Sequence, residues 1–240
     1  MACLLFVADD EFDENRAPKA GGIDRGILQF LPLSGKDCAE ATTGVTRALV
    51  NLWPELSEPM PLPLRIHFRA HVENYARSYA SDLARARTGS APSFDGYLAL
   101  RRSSGAVDSC LDLIERQPSV YLPHAIAGSP QILVLREAAN DVIYWTNDVI
   151  SLSKEIKHGE MNNLVAVIRQ SVGMSWEAAL QVATEMNSAR IRDFDRQQRE
   201  ILRHFNELPE LSEFISGVQA WISGSLNWHR NSPRYTDIFL

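Results

Sequence analysis

The chain has 240 residues, of which 45% are apolar, so its length fits one domain with ample material for a buried core. Its net charge of −6 argues against a general nucleic-acid or anionic-membrane binder. No stretch approaches the ~20 consecutive apolar residues of a membrane span, and residues 2–8 are too short for a signal peptide and run into acidic residues.

Helical periodicity dominates the chain, and no segment alternates with the period of two that a half-buried strand requires. Pro59–Pro63 and residues 88–93 carry the Pro and Gly of linkers, and Gly105 interrupts an Arg-rich helix. The predicted helices cover residues 2–14, 35–53 (closed by Trp53-Pro54), 64–87, 106–116, 131–157, 160–172, 175–206 and 209–229. We therefore expect an all-α fold in a single domain, 1–240.

The first predicted helix carries an acidic cluster, Asp9-Asp10-Glu11-Phe12-Asp13-Glu14. On a helix Asp9 and Asp13 share a face, and like charges at that spacing repel each other. A bound cation would remove the repulsion, and the carboxylates would then serve as its ligands. A solvated helix end is the alternative interpretation of this cluster taken alone.

A second polar pattern lies on the helix predicted over 131–157. Asn147, Ser151 and Glu155 recur at every fourth residue within an apolar segment. On a helix they lie within a stripe about 80° wide. A carboxamide, a hydroxyl and a carboxylate form an oxygen-only ligand set, which suits Mg²⁺. Taken alone, this spacing is also typical of a solvated helix face.

Together the two patterns are far more specific. Asp-Asp-x-x-Asp followed later by Asn-Asp-x-x-Ser-x-x-Lys-Glu resembles the paired motifs of class I terpene cyclases, in particular the fungal sesquiterpene synthases. Arg101, Ser104 and Gly105 look like the diphosphate-sensing Arg, the linker and the effector Gly of that family. Arg234-Tyr235 is similar to the pair that closes over the diphosphate, so the resemblance runs from residue 9 to residue 235.

The resemblance implies a helical barrel that binds a prenyl diphosphate together with Mg²⁺, three ions in all. The implied metal ligands are Asp9, Asp10, Asp13, Asn147, Ser151 and Glu155. The implied diphosphate contacts are Arg101, Lys154, Arg234 and Tyr235, and the implied catalytic group is Arg101, Ser104 and Gly105.

The resemblance also implies an activity: farnesyl diphosphate is ionised, diphosphate is released, and the carbocation cyclises to a sesquiterpene. Aromatic faces stabilise such a cation in a dry cavity. The candidates are Phe6, Tyr75, Tyr97, Tyr144 and Trp228, and ordinary core packing is the alternative for each.

One departure from the family concerns the acidic motif, which begins here at residue 9, whereas the family has several helices before it. We therefore expect the fold to be N-terminally truncated, and the alternative function is a catalytically silent helical protein that at most binds prenyl diphosphates. A chain-elongating prenyltransferase would need a second Asp-rich motif where this chain has Asn147 to Glu155. A homodimer is common in such folds, although no motif specifies one.

The remaining polar residues favour simpler interpretations. The run Arg190, Arg192, Asp193, Asp195, Arg196, Arg199 and Glu200 is typical of a solvated helix face with local ion pairs. Among six histidines only His67 and His71 share helical spacing, which does not predict a zinc site. Scattered Cys3, Cys38 and Cys110 indicate buried thiols in a reducing, cytoplasmic compartment.

Overall fold

The computed structural model describes residues 26–41, 43–86, 92–159, 161–205 and 208–235, and within these residues the structure is helical, without a strand. The first element in the described part of the chain is a short 3-10 helix, Ile27–Phe30, and the last there is a second one, Pro233–Tyr235. Between them lie α1 Gly44–Ser57, α2 Leu62–Ala86, α3 Phe94–Ser104, α4 Val107–Ile114, α5 His124–Ala127, α6 Pro130–His158, α7 Leu164–Val172, α8 Trp176–His204 and α9 Pro209–Asn231. The all-α prediction is confirmed. No described helix is long and apolar enough to span a membrane.

Helix α6 is the central element. The side chain of Ser129 caps its first turn by accepting from the Ile132 amide, Pro130 takes the first helical position, and Gly159 ends it in the left-handed conformation at φ 74°. Every residue from Ala138 to Trp145 is buried. A helical segment buried all round has to lie inside a bundle, and α6 packs against α3, α4, α7, α8 and α9.

Among the described residues, the hydrophobic core has two parts. The larger joins buried side chains of α3, α4, α6, α7, α8 and α9. The smaller joins the first 3-10 helix, α1 and α2, and is centred on Trp53, whose ring stacks on Phe68 at 5.6 Å and whose Nε1 donates to the Pro32 carbonyl at 2.8 Å. Most of the large apolar side chains in the described residues therefore hold the bundle together.

The boundaries of α1 differ from the predicted 35–53. The helix begins later, because Thr43 and Thr46 form a capping box at Gly44. It also continues through Pro54 to Ser57, where the sequence predicted an end. Arg116 donates to the Leu56 carbonyl at 3.1 Å and to the Glu55 carbonyl at 2.9 Å, so a side chain distant in sequence satisfies the last turn.

The mixed-charge run on α8 is not all solvated, so that interpretation is wrong for Arg190. Its guanidinium donates to the buried carboxylate of Asp141 at 2.9 Å, and Arg102 binds the same carboxylate at 2.8 Å through both Nε and Nη2. These pairs connect α3, α6 and α8. Further along, Arg196 and Asp193 form the local ion pair that was predicted, at 2.9 Å.

A second buried charge cluster joins α2 and α6 to α4 and the residue that follows it. His71 Nδ1 lies 2.6 Å from the Asp112 carboxylate, and Arg136 donates to Asp112 at 2.5 Å and to Glu115 at 3.2 Å. Asp112 and Glu115 are 2% and 5% exposed. Buried charges of this kind are tolerated only when paired, which explains why they gather around one Arg.

Glu115 gives the protein a pH-dependent stability. Burial raises the pKa of its carboxyl from 4.5 to about 7, and the charge of Arg136 opposes this shift only in part. Because the folded-state value is raised, the contribution of Glu115 to the free energy of unfolding is complete below pH 4.5 and is lost as the pH rises through 7. We expect Glu115→Gln to reduce the dependence of the free energy of unfolding on pH between 4.5 and about 7, as measured by urea unfolding. The exposed Glu213→Gln should leave it unchanged, and equal slopes in the two variants would contradict the assignment.

Candidate active site

Asn147, Ser151 and Glu155 do lie on one face of α6, in direct succession. Ser151 Oγ is 2.7 Å from Glu155 Oε1 and also 2.7 Å from the Asn147 carbonyl oxygen, so its one proton serves one of them at a time. The structure therefore brings together the part of the predicted metal set that it describes. All three side chains offer oxygen, the donor that hard cations prefer.

The Glu155 carboxyl is held in an environment that disfavours its charge. Burial raises its pKa to about 7, with a further contribution from the charge of Asp148, while Arg101 acts in the opposite direction. Asn163 donates to Glu155 Oε2 at 2.9 Å. A cation at this carboxylate would favour the charged form, so a proton and a cation would compete for it.

Asp148 is the buried anchor of the site, with no exposed surface. Its carboxylate accepts from the Tyr97 hydroxyl at 2.6 Å, from Arg101 at 2.5 Å and from the Leu164 amide at 2.7 Å. It thereby ties α3 and the start of α7 to α6. The sequence placed Asp148 inside the motif but gave it no role, because its three partners are distant along the chain.

Asn163 is a further residue without a predicted role. Its Oδ1 caps α7 by accepting from the Val165 amide at 2.8 Å, so α7 begins at Leu164 instead of residue 160. Its Nδ2 donates to the Asp148 carbonyl at 2.8 Å and to Glu155 Oε2. A capping Asn before an apolar run was visible in the sequence, but its reach to Glu155 was not.

Arg101 extends from α3 to the same face of α6. Its Nη2 donates to Asn147 Oδ1 at 2.7 Å, and its guanidinium lies over the Tyr144 ring at 4.9 Å. Within the described residues, its buried Nε and the buried Ser104 hydroxyl have no hydrogen-bond partner. Buried donors are costly when unsatisfied, so each of these two atoms retains an unused hydrogen-bonding capacity in this part of the fold.

Gly105 is required by the packing of Tyr144. A Cβ built on Gly105 would lie 1.8 Å from Tyr144 Cε1, and the next residue, Ala106, is left-handed at φ 57°. The Tyr144 hydroxyl accepts from the Val107 amide at 3.0 Å, so the ring has little freedom to move aside. Gly105 thus permits the sharp turn between α3, which carries Arg101, and α4.

We expect Gly105→Ala to destabilise the protein by about 1–3 kcal/mol, because the added methyl group forces Tyr144 out of its site. Urea unfolding measures the loss. Gly224→Ala is the matched control, since nothing lies within 4 Å of a Cβ there and the helix α9 should gain about 0.5–1 kcal/mol. The shorter side chain of Tyr144→Leu should remove most of the additional cost of Gly105→Ala, and equal costs in both backgrounds would contradict this explanation.

Tyr235, the second residue of the predicted Arg-Tyr pair, also reaches the site. Asn147 Nδ2 lies 3.2 Å from the Tyr235 hydroxyl and 2.8 Å from His229 Nε2. The rings of His229 and Tyr235 stack at 5.4 Å, and the edge of Trp228 meets both. Burial raises the pKa of Tyr235, and the positive charge of Arg234 opposes it. The sequence predicted Tyr235 but missed His229, whose only local signal was its place shortly before Arg234-Tyr235.

Burial also determines the state of His229, which is 4% exposed. Burial lowers the pKa of its imidazole, and the positive charges of Arg101 and Arg234 lower it further, against the hydrogen bond to the Ser225 carbonyl. Burial therefore favours the neutral form of the ring.

Other predicted residues are placed as follows. Lys154 is half-buried on α6 beside Glu155, and Arg234 is half-buried. Asp9, Asp10 and Asp13 lie outside the described residues, as do Phe6 and Cys3. Among the aromatic candidates, Tyr75 is buried and Trp228 is 37% exposed, while Tyr97 and Tyr144 use their hydroxyls within the fold.

With this geometry established, comparison with known proteins gives the family. Residues 1–193 match the family model described as "Terpene synthase family 2, C-terminal metal binding". The chain belongs to this terpene synthase family. The oxygen-bearing face of α6 is thus part of a terpene synthase fold whose family description names metal binding.

Individual relatives agree with this assignment. The (+)-T-muurolol synthase of Roseiflexus castenholzii, named as cyclising (2E,6E)-farnesyl diphosphate, is 30% identical over 96% of this chain, which spans 72% of that protein. The isoafricanol synthase of Streptomyces violaceusniger is 29% identical over 97% of this chain, which spans 65% of that protein. The crystal structure of germacradien-4-ol synthase from Streptomyces citricolor superposes with a TM-score of 0.79 at 25% identity, covering 95% of this chain and 75% of that one.

Proposed function

We propose that this protein is a Mg²⁺-dependent sesquiterpene synthase that ionises farnesyl diphosphate and cyclises the resulting carbocation. The observation that carries the proposal is the convergence of Asn147, Ser151 and Glu155 with Arg101 and Tyr235 at one buried polar face. Cations and an anion need opposite donors side by side, and this face has both. The names of the relatives support farnesyl diphosphate as the substrate.

The donor set fits a hard divalent cation. The Asn147, Ser151 and Glu155 oxygens would hold one ion, and Asp9, Asp10 and Asp13 complete the set for the three ions expected. Bound Mg²⁺ supplies positive charge that stabilises the departing diphosphate. The Glu155 carboxylate must lose its proton for this purpose, so affinity for the metal should increase as the pH rises through about 7.

The remaining residues of the site bind the diphosphate. Arg101 directs a guanidinium to the α6 face, and within the described residues neither its Nε nor the Ser104 hydroxyl, three residues further along α3, has a partner. Lys154 and Arg234 would donate charge-assisted hydrogen bonds to the diphosphate oxygens, and the Tyr235 hydroxyl would donate another. Gly105 sets the turn that delivers Arg101. These donors stabilise negative charge most strongly when the bond between carbon and the diphosphate oxygen breaks and both electrons leave with diphosphate.

The test is an assay of purified protein with farnesyl diphosphate, with Mg²⁺ and with a chelator, followed by headspace gas chromatography and mass spectrometry. A sesquiterpene that forms only with Mg²⁺ is the expected result. Geranyl and geranylgeranyl diphosphates in parallel reveal the preferred chain length. Folded protein that yields no product from any of the three would overturn the proposal and favour the silent helical protein.

Two finer predictions accompany the proposal. The resemblance to the fungal sesquiterpene synthases in particular stays a prediction. Most of the similar proteins are bacterial, so they do not confirm it. A homodimer also stays a prediction, and light scattering coupled to size exclusion measures it directly as a molar mass of either 26.9 kDa or twice that value.

A further inference from the structure

The two ends of the Asn147 carboxamide face different partners. Its Oδ1 lies 2.7 Å from Arg101 Nη2, and a guanidinium can only donate. Oxygen therefore has to face Arg101, and the amide nitrogen has to face the opposite side, toward His229 and Tyr235. One lone pair of Oδ1 remains after the hydrogen bond from Arg101 and is available to a cation.

His229 holds the carboxamide in this orientation from its nitrogen end, as Arg101 does from its oxygen end. Its Nδ1 lies 2.7 Å from the Ser225 carbonyl oxygen, which can only accept, so Nδ1 carries the proton. The Asn147 amide nitrogen Nδ2, which can only donate, lies 2.8 Å from Nε2, so Nε2 has to accept this hydrogen bond. The Tyr235 hydroxyl, at 3.2 Å, can donate or accept and would tolerate either end of the amide.

We propose that His229 is a positioning residue that, together with Arg101, fixes which end of the Asn147 carboxamide faces the metal. The inference rests on the proposed function, because it concerns a metal ligand of that site. A flipped carboxamide would present two N–H groups to a cation and to Arg101, which are both positive. The His229 ring is itself held by stacking on Tyr235, by the edge of Trp228 and by the hydrogen bond to α9. Residues 225–235 therefore hold the His229 ring, and through it they hold the Asn147 carboxamide in one orientation.

Two substitutions separate the acceptor from the packing. His229→Phe keeps an aromatic ring against Tyr235 and Trp228 but removes the acceptor. His229→Gln loses the ring yet returns an oxygen near the position of Nε2. We expect the Mg²⁺ concentration that half-saturates pyrophosphate binding to rise about 10- to 100-fold in His229→Phe, as for other residues that orient metal ligands. His229→Gln should lie closer to wild type.

A second background makes the test specific. In Asn147→Asp both ends of the side chain are oxygen, so the orientation no longer matters and the metal ligand is retained. His229→Phe should therefore cause no loss of Mg²⁺ affinity in the Asn147→Asp background. An equal loss in both backgrounds would show that His229 acts only through packing, and it would overturn the inference.

The measurement is calorimetric titration of the protein with inorganic pyrophosphate at a series of MgCl₂ concentrations, which does not depend on turnover. Thermal unfolding without metal verifies that each variant is folded. If wild type shows no Mg²⁺-dependent binding of pyrophosphate, the proposed function fails and the inference fails with it. If wild type binds and His229→Phe binds equally well, the inference alone is wrong and the proposed function stands.

Discussion

Replacing Glu155 with Gln is expected to lower kcat/KM for farnesyl diphosphate by at least about 100-fold, because a metal ligand is lost. The substitution keeps the size of the side chain and an oxygen for Asn163. It removes the negative charge that a cation needs at this position. The required Mg²⁺ concentration should rise in parallel, measured as the half-saturating value in the turnover assay.

The same substitution should not destabilise the metal-free protein. Burial raises the pKa of the Glu155 carboxyl to about 7, so above that pH the folded protein holds a charge that its surroundings disfavour. Glu155→Gln removes this cost, and urea unfolding above pH 7 should give a stability equal to or greater than that of wild type. Glu200→Gln, at an exposed position on α8, is the control for both measurements. Full turnover at ordinary Mg²⁺ in Glu155→Gln would refute the metal assignment.

Arg101→Ala is expected to cost both stability and activity. The guanidinium is the positive partner of Asp148, which has no exposed surface. Removal of one member of a buried ion pair leaves the other uncompensated, at a cost of about 3–5 kcal/mol. Asn147 Oδ1 also loses its donor. We expect urea unfolding to report this loss, and kcat/KM to fall by about 100-fold or more.

Two companion variants separate the effects of Arg101. Arg101→Ala combined with Asp148→Asn should recover part of the stability, since no buried charge is left alone, but none of the activity. Arg101→Lys retains the charge without the planar fork, so it should keep more stability than activity. Arg192→Ala, at an exposed position on α8, should change neither quantity. Wild-type stability together with full turnover in Arg101→Ala would contradict the account.

The sequence was sufficient for features that depend on local spacing. The recurrence of Asn147, Ser151 and Glu155 predicts a common face on any helix, and the structure has that face on α6. The predicted helix 131–157 agrees with the observed Pro130–His158 to within one residue at each end, because Ser129 and Gly159 are strong local signals for the start and the end of a helix. Local chemistry determines such features, so no knowledge of the tertiary structure is needed.

Features that depend on distant partners were not predictable. His229 meets Asn147 across 82 residues of sequence, and nothing near either residue indicates the other. Arg190 lies in a mixed-charge run typical of a solvated face, yet it pairs with Asp141 of another helix 49 residues away. The end of α1 depends likewise on Arg116, about 60 residues further along the chain. In each case tertiary packing determines the partner.

The most direct test of the central claim is a crystal structure of the protein with Mn²⁺ and inorganic pyrophosphate, using anomalous scattering to locate the metal. We expect an anomalous peak in contact with Asn147 Oδ1, Ser151 Oγ and Glu155, at about 2.0–2.2 Å, with the pyrophosphate bound by Arg101 and Tyr235. Metal and pyrophosphate bound elsewhere, with the α6 face unchanged, would contradict the account.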